Sequence, residues 1–279
     1  MTTFHELAHE VARLLEEAGG DSAAAEARWI VEAAAGRSRS ELAGAADLSA
    51  ETRDRAVALA RRRAAGEPLQ YVTGIAGFRR LEVAVGPGVL VPRPETELVA
   101  GRAMERLRFG GTLVDVGTGS GAIALAVADE RPDARVFATE VSDEAAAWAV
   151  RNIETLGARV DLVQCDLLTG LPGELQSAVD VVVSNPPYVA EGERGMLPVD
   201  VVEHEPQRAL FAGDDGLAVI ARLAATARRW LRRGGWLVLE IGERQGEDVR
   251  TLLEEAGYRQ VSVLPDLAGR DRIVEGEWP

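Results

Sequence analysis

At 279 residues the chain has material for one large domain or two smaller ones, and its 47% apolar and 27% charged composition is that of a globular protein in water. All 31 basic residues are Arg, set against 45 acidic ones for a net charge of −14. That excludes a P-loop or Schiff-base lysine and disfavours nucleic acid, whose phosphates need a positive footprint, while a basic partner surface suits the net field.

The opening MTTFHELAHE has neither a basic stretch nor an apolar one, and no apolar run approaches ~18 residues, so neither a signal peptide nor a membrane span is expected. The single Cys165 excludes an internal disulfide framework and fits a reducing compartment, so a cytoplasmic location is predicted. His5, His9 and His204 are too scattered for a metal cage, and no metal is expected.

Residues 4–65 read as helices alone. Phe4, Leu7, Val11, Leu14 and Leu15 keep one apolar stripe at helical spacing, which ends at Gly19-Gly20. Asp21-Ser22 is expected to cap a second helix carrying Trp29, Ile30 and Val31 as far as Gly36. Ser38 or Ser40 starts a short piece, and Ser49-Ala50-Glu51-Thr52 opens a helix through Arg63. Such a bundle serves either stability or the holding of a macromolecular substrate.

From Gly66 the texture changes. Pro68–Gly74 and Phe78–Val85 show the alternation of short strands around glycine turns, with Val89-Leu90-Val91 a candidate third. Pro92-Arg93-Pro94-Glu95-Thr96-Glu97 is a stiff entry to a helix running to about Arg108. The domain junction falls here: a helical domain over 1–70, a β-hairpin linker over 71–92 and a larger domain over 93–279.

After Gly110-Gly111 the pattern becomes β-α-β. Strands are predicted at about 112–116, 135–140, 159–165, 179–184, 235–241, 259–264 and 271–275, with long helices at about 216–233 and 245–256. Alternation on this scale argues an α/β fold, a doubly wound parallel sheet of seven strands. Ala190–Gly213, with Gly, Glu and Pro but little period, reads as a long substrate-binding loop.

The chemistry gathers at strand ends. Asp115-Val116-Gly117-Thr118-Gly119-Ser120-Gly121-Ala122 is a strand, a glycine turn and a helix start, where backbone can pass close under a ligand. On those residues an NAD enzyme is a fair rival, since Gly117, Gly119 and Ala122 meet the loose dinucleotide fingerprint and Glu140 lies ~20 positions on. Two features separate them. Asp115 precedes three alternating glycines, the form typical of S-adenosylmethionine (SAM) methyltransferases. Glu140, Asp166-Leu167 and Asn185 then follow the next three strands, so four strand ends line one crevice. Glu140 is expected to accept both ribose hydroxyls and Asp166 the adenine amino group, with Leu167 beside the ring.

Asn185-Pro186-Pro187-Tyr188 follows the apolar run Val181-Val182-Val183, which reads as a buried central strand. The prolines stiffen the loop and leave its carbonyls free to accept, Asn185 adds an amide carbonyl, and Tyr188 adds a flat face. The result is a rigid pair of acceptors suited to a planar NH2 group.

Over nearly its whole length the chain resembles the PrmC/HemK family of release-factor glutamine methyltransferases. The matching stretches are Gly66–Gly74, Val89–Glu97, Asp115–Ala126, Asn185–Tyr188, Glu205-Pro206 with Asp215-Gly216-Leu217, and Gly235–Gly246. The resemblance implies a Rossmann-like SAM-dependent methyltransferase domain behind a helical substrate-docking domain. It implies methyl transfer to the side-chain amide nitrogen (N5) of the Gln in the Gly-Gly-Gln loop of release factors, leaving S-adenosylhomocysteine. It also implies that Phe78, Arg93 and Glu95 line the substrate entrance; packing of the domain junction is the other reading. Glu140 stands where many relatives carry Asp and keeps the carboxylate. DNA adenine N6 methyltransferases share Asn-Pro-Pro-Tyr and remain an alternative, as does a non-catalytic SAM-binding protein. No Cys-x-x-Cys-His motif supports haem.

Overall fold

The computed structural model describes residues 2–20, 22–43 and 47–279. It divides into two compact units. One is the chain up to Ile75 with Val85–Pro87 and Pro198–His204; the other is Ala76–Ala84, Gly88–Leu197 and Glu205–Pro279.

The first unit is helical because its apolar residues recur at helical spacing. α1 (Phe4–Glu17) opens on a capping box between Thr3 and Glu6 and buries Phe4, Leu7, Val11 and Leu15. α2 (Ala23–Ala35) ends on Gly36 in the left-handed region. Ser22 holds its N-cap position without a side-chain hydrogen bond, and Asp21, the other expected cap, lies outside the described residues. After α3 (Arg39–Ala43) comes α4 (Ala50–Ala64), where Ser49 Oγ accepts from the Thr52 amide at 3.1 Å. Pro68–Gly74 is not a strand but carries a fifth helix, α5 (Leu69–Thr73). Its neighbours Tyr71 and Val72 are both buried; a strand would send them to opposite faces, whereas one helical turn brings both inward.

β1 (Ile75–Phe78) and β2 (Leu81–Ala84) form the expected hairpin. Val89–Val91 makes no strand; Pro87 and Pro92 bracket it and withhold ladder donors. There follow α6 (Pro94–Arg106), β3 (Thr112–Val116), α7 (Ala122–Glu130), β4 (Arg135–Glu140), α8 (Asp143–Leu156), β5 (Val160–Gln164) and β6 (Val179–Ser184). Ala190–Gly213 holds more structure than its composition suggests: two 3-10 turns and α9 (Val199–His204), the last belonging to the helical unit. The chain closes with α10 (Ala218–Ala227), β7 (Leu231–Glu240), α11 (Gly246–Glu255), β8 (Arg259–Pro265) and β9 (Asp271–Trp278).

The seven strands lie in the order β5-β4-β3-β6-β7-β9-β8. β3 to β7 pair in parallel, as expected of a doubly wound seven-stranded sheet, and β9 runs antiparallel to both β7 and β8, which makes the sheet mixed at that edge. Residues 266–270 join β8 to β9, too short a link for a parallel crossover. β7 begins at Leu231, earlier than its expected start, and the helix before it is correspondingly shorter. Gly234-Gly235, which resembles a strand start, lies within an irregularity of register between Val179 and Val181 of the neighbouring strand. Val179 and Val182 join the core on one side of the sheet and Val181 and Val183 the core on the other. That accounts for an apolar run without alternation. Among the described residues no helix is long and apolar enough to cross a membrane.

Candidate functional site

The strand order reverses between β3 and β6, the place where open α/β sheets bind ligands. There a cavity of about 350 Å3 opens at the carboxyl ends of β3, β4, β5 and β6. Its walls include the whole turn Asp115–Ser120, with Glu140, Asp166, Leu167, Asn185, Pro186 and Pro187.

Gly117, Gly119 and Gly121 all take positive φ (69°, 60° and 88°), which is why the turn needs glycine at alternate positions. The amides of Gly117 and Thr118 both bond the Thr139 carbonyl, at 2.9 and 3.0 Å, and tie the turn to β4. Asp115 is buried beneath it. Its Oδ2 accepts from the Thr118 hydroxyl and from the Ala124 amide, whereas the buried Oδ1 has no hydrogen-bond partner among the described residues. Burial pushes this carboxyl up to about 7, against the pull of those two donors. An orphaned carboxylate oxygen in a cavity wall fits the ammonium of an amino-acid moiety.

Glu140 is more committed than its position suggested. Its Oε2 accepts from the Gly119 amide at 2.9 Å, and Oε1 from the amides of Val141 and Ser142 at 2.8 and 2.9 Å. A carboxylate has about four acceptor positions, so backbone amides occupy most of this one and the free position lies on Oε2. Asp166 pairs with Arg222 of α10, a cavity residue that sequence reasoning missed because nothing local marks it. Leu167 sits beside it at φ 51°, a left-handed conformation uncommon for leucine.

Asn185 donates through Nδ2 to Thr96 Oγ1 at 3.1 Å, which leaves Oδ1 as its acceptor atom. Pro186 and Pro187 join it in the cavity wall, but Tyr188 does not. Its ring packs against the core and its hydroxyl donates to Glu240 Oε1 at 3.3 Å. Burial, reinforced by Glu240, holds that phenol well above its usual range, so Tyr188 stays a neutral donor. The Tyr188 carbonyl accepts from Gln245 Nε2 at 2.9 Å, and a Cβ on Gly216 would stand only 2.3 Å from it. Only glycine fits there.

The three residues expected at the substrate entrance divide. Phe78 is 1% exposed within the core under α6, which makes it a packing residue and corrects that expectation. Arg93 reaches Glu205 Oε1 at 2.6 Å, and Glu95 faces Arg270 at 3.6 Å, so both belong to ion pairs outside the cavity wall. Thr96 and Glu240 were missed as site residues. Glu240 carried a readable signal, a carboxylate ending a predicted strand like Glu140, and Thr96 lay unread inside the proline-rich helix entry.

Comparison with known proteins agrees with this geometry. Residues 6–74 match the family model described as PrmC N-terminal domain, and residues 96–213 match Methyltransferase small domain. Among solved structures, a methyltransferase from Pyrococcus furiosus superposes with a TM-score of 0.55 at 22% identity, covering 71% of this chain and 89% of that one. A T. thermophilus 16S rRNA methyltransferase, solved with AdoMet and guanosine, gives 0.55 at 21% over 74% and 50% of the two chains. At such identities the likeness is one of fold. Three relatives are each called release factor glutamine methyltransferase. That of Streptomyces coelicolor is 49% identical over 76% of both chains, and that of Neisseria gonorrhoeae 42% over 91% of this chain and 93% of its own. That of Salmonella typhimurium is 36% identical over 99% of each. With identity of this level running from end to end, and a glycine turn and Asn-Pro-Pro-Tyr loop meeting in one cavity, the chain belongs to the release factor glutamine methyltransferase family.

Proposed function

We propose that this protein transfers the methyl group of SAM to the side-chain amide nitrogen of the glutamine in the Gly-Gly-Gln loop of peptide chain release factors, leaving S-adenosylhomocysteine. The observation that carries the reading is the orientation of Asn185: Nδ2 is engaged by Thr96, so Oδ1 is the atom available to a substrate NH2. Bound in the cavity, SAM supplies an electrophilic methyl group on a sulfonium. Asp115 Oδ1 suits its ammonium, Glu140 its ribose, and Asp166 with Leu167 the adenine.

An amide nitrogen is a poor nucleophile because its lone pair is delocalised into the carbonyl. Asn185 Oδ1 and the Pro186 carbonyl accept its two N–H bonds, fix the nitrogen for in-line attack and stabilise the positive charge that develops there. SAM held in the cavity would supply the methyl group, keep the electron pair of its methyl–sulfur bond and leave as S-adenosylhomocysteine, while the amide nitrogen would release one of its two N–H protons to solvent water. Tyr188 holds the loop through its hydroxyl and carbonyl and does not itself face the amide.

The helical unit is assigned the docking of the release factor, and the compartment is the cytoplasm, in keeping with a single cysteine. A net charge of −14 with no lysine disfavours the duplex-DNA adenine alternative, which demands a basic face around a flipped base. The test offers radiolabelled SAM with a release factor and duplex DNA side by side. Label is expected in the Gly-Gly-Gln peptide; label in adenine and none in the release factor overturns the reading.

A further inference from the structure

From Asn185 a run of buried and half-buried hydrogen bonds leads through Thr96, itself in the cavity wall, into the fold. Asn185 Nδ2 donates to Thr96 Oγ1 at 3.1 Å, and Thr96 Oγ1 donates to Glu240 Oε2 at 2.7 Å. The Tyr188 hydroxyl donates to the other oxygen of the same carboxylate. Thr96 and Glu240 are 4% and 1% exposed, so the bond between them is shielded from water. They come from the first turn of α6, the loop after β6 and the end of β7.

Elementary hydrogen-bond chemistry gives this chain a direction. A hydroxyl has one proton, and an ionised carboxylate only accepts. While Glu240 is charged, the Thr96 proton points to it, and Oγ1 presents only lone pairs toward Asn185. The amide must then turn its NH2 to Thr96 and keep Oδ1 for the other side. Reversed, it would set Oδ1 against another acceptor and meet an incoming NH2 with its own.

We propose that Thr96 and Glu240 are positioning residues for methyl transfer: the buried carboxylate orients the Thr96 hydroxyl, which locks the Asn185 amide with Oδ1 toward the substrate nitrogen. The inference rests on the reading of Asn185 given above. Glu240 suits the role because it makes no ion pair among the described residues. Arg272, which faces it from β9, is turned to Asp266 at 3.6 Å and to the Ile241 carbonyl at 3.1 Å. The other groups facing it are Tyr188 from the loop after β6 and Glu95 from α6. Burial pushes the Glu240 carboxyl up to about 7, with Thr96, Arg272 and Tyr188 opposing and Glu95 adding to the rise. The direction of the chain is therefore best defined above that pH.

Thr96→Val keeps the shape and removes the hydroxyl. It is expected to lower the single-turnover rate of methyl transfer to a release factor by about ten- to a hundredfold, the scale of a lost active-site hydrogen bond. SAM affinity and the KM for the release factor should stay within about twofold, and Thr96→Ser should recover most of the rate. Glu240→Gln, which can donate as well as accept, should lose rate and flatten the rise of the wild-type rate through about pH 7 at saturating SAM. It is the deciding variant if Thr96→Val does not fold. Variants as fast as wild type, a loss shared equally by SAM affinity, or no recovery by Thr96→Ser would each overturn the inference. A wild-type protein that fails to methylate the release factor would instead sink the functional reading beneath it.

Discussion

Glu240 and Glu275 stand on one face of the β7–β9 ladder, where Glu240 pairs with Ile273 and Glu275 with Val238, which makes them diagonal neighbours. Both are buried, at 1% and 0% exposure, and both receive hydrogen bonds from α6. The ends of the helix treat them differently. Near its C-terminus Arg102 grips Glu275 with two bonds of 2.6 and 2.7 Å. Arg106, stacked on Trp236 at 3.6 Å, adds a second guanidinium. Near its N-terminus the helix offers Glu240 only the Thr96 hydroxyl. Burial raises both carboxyls; at Glu275 the two arginines overcome it and bring the value to about 2, while Glu240 stays at about 7. The same residue type under one helix is thus a structural clamp at one end and a device for directing a hydrogen bond at the other.

The largest expected effect tests the clamp. Arg102→Ala with Arg106→Ala strands Glu275 as a buried, unpaired charge and should cost about 3–5 kcal/mol of folding stability by denaturant titration. A loss under about 1 kcal/mol would show that the clamp is ornamental and erase the contrast. Asn185→Ala comes next, with the opposite profile: stability nearly unchanged, SAM affinity altered a few-fold at most, and single-turnover transfer down by about 10²–10³. Transfer within a few-fold of wild type would remove Asn185 from the chemistry.

The gentlest probe is pH. Glu275 titrates below its ordinary 4.5, so its contribution to stability is present above that value and lost as pH falls toward about 2. Glu240 titrates above 4.5, so its contribution is present below that value and lost as pH rises through about 7. Glu275→Gln should flatten the stability curve in the acid window and Glu240→Gln in the neutral one. Melting curves in which both substitutions act in the same window would break the comparison.

Much of this was legible in the residues themselves, because period and turn chemistry are local. The valine run of β6, the alternating glycines after Asp115 and the two prolines after Asn185 dictate strand, turn and stiff loop from immediate neighbours. Four polar groups at consecutive strand ends then placed one cavity at the carboxyl edge of the sheet. Where two structures fit one stretch, local pattern was insufficient: Leu69–Thr73 is helical and β9 antiparallel because burial and a short connection favoured them.

Only the folded chain could decide what each polar atom touches. Phe78 went to the core, Tyr188 turned its hydroxyl to Glu240, and Glu140 spent most of its carboxylate on backbone amides. Thr96 meets Glu240 across 144 residues of sequence. That bond depends on the rotation of α6 about its axis and on the register of β7. Both are set by how the side chains of the two elements interlock, and no window of sequence contains both partners.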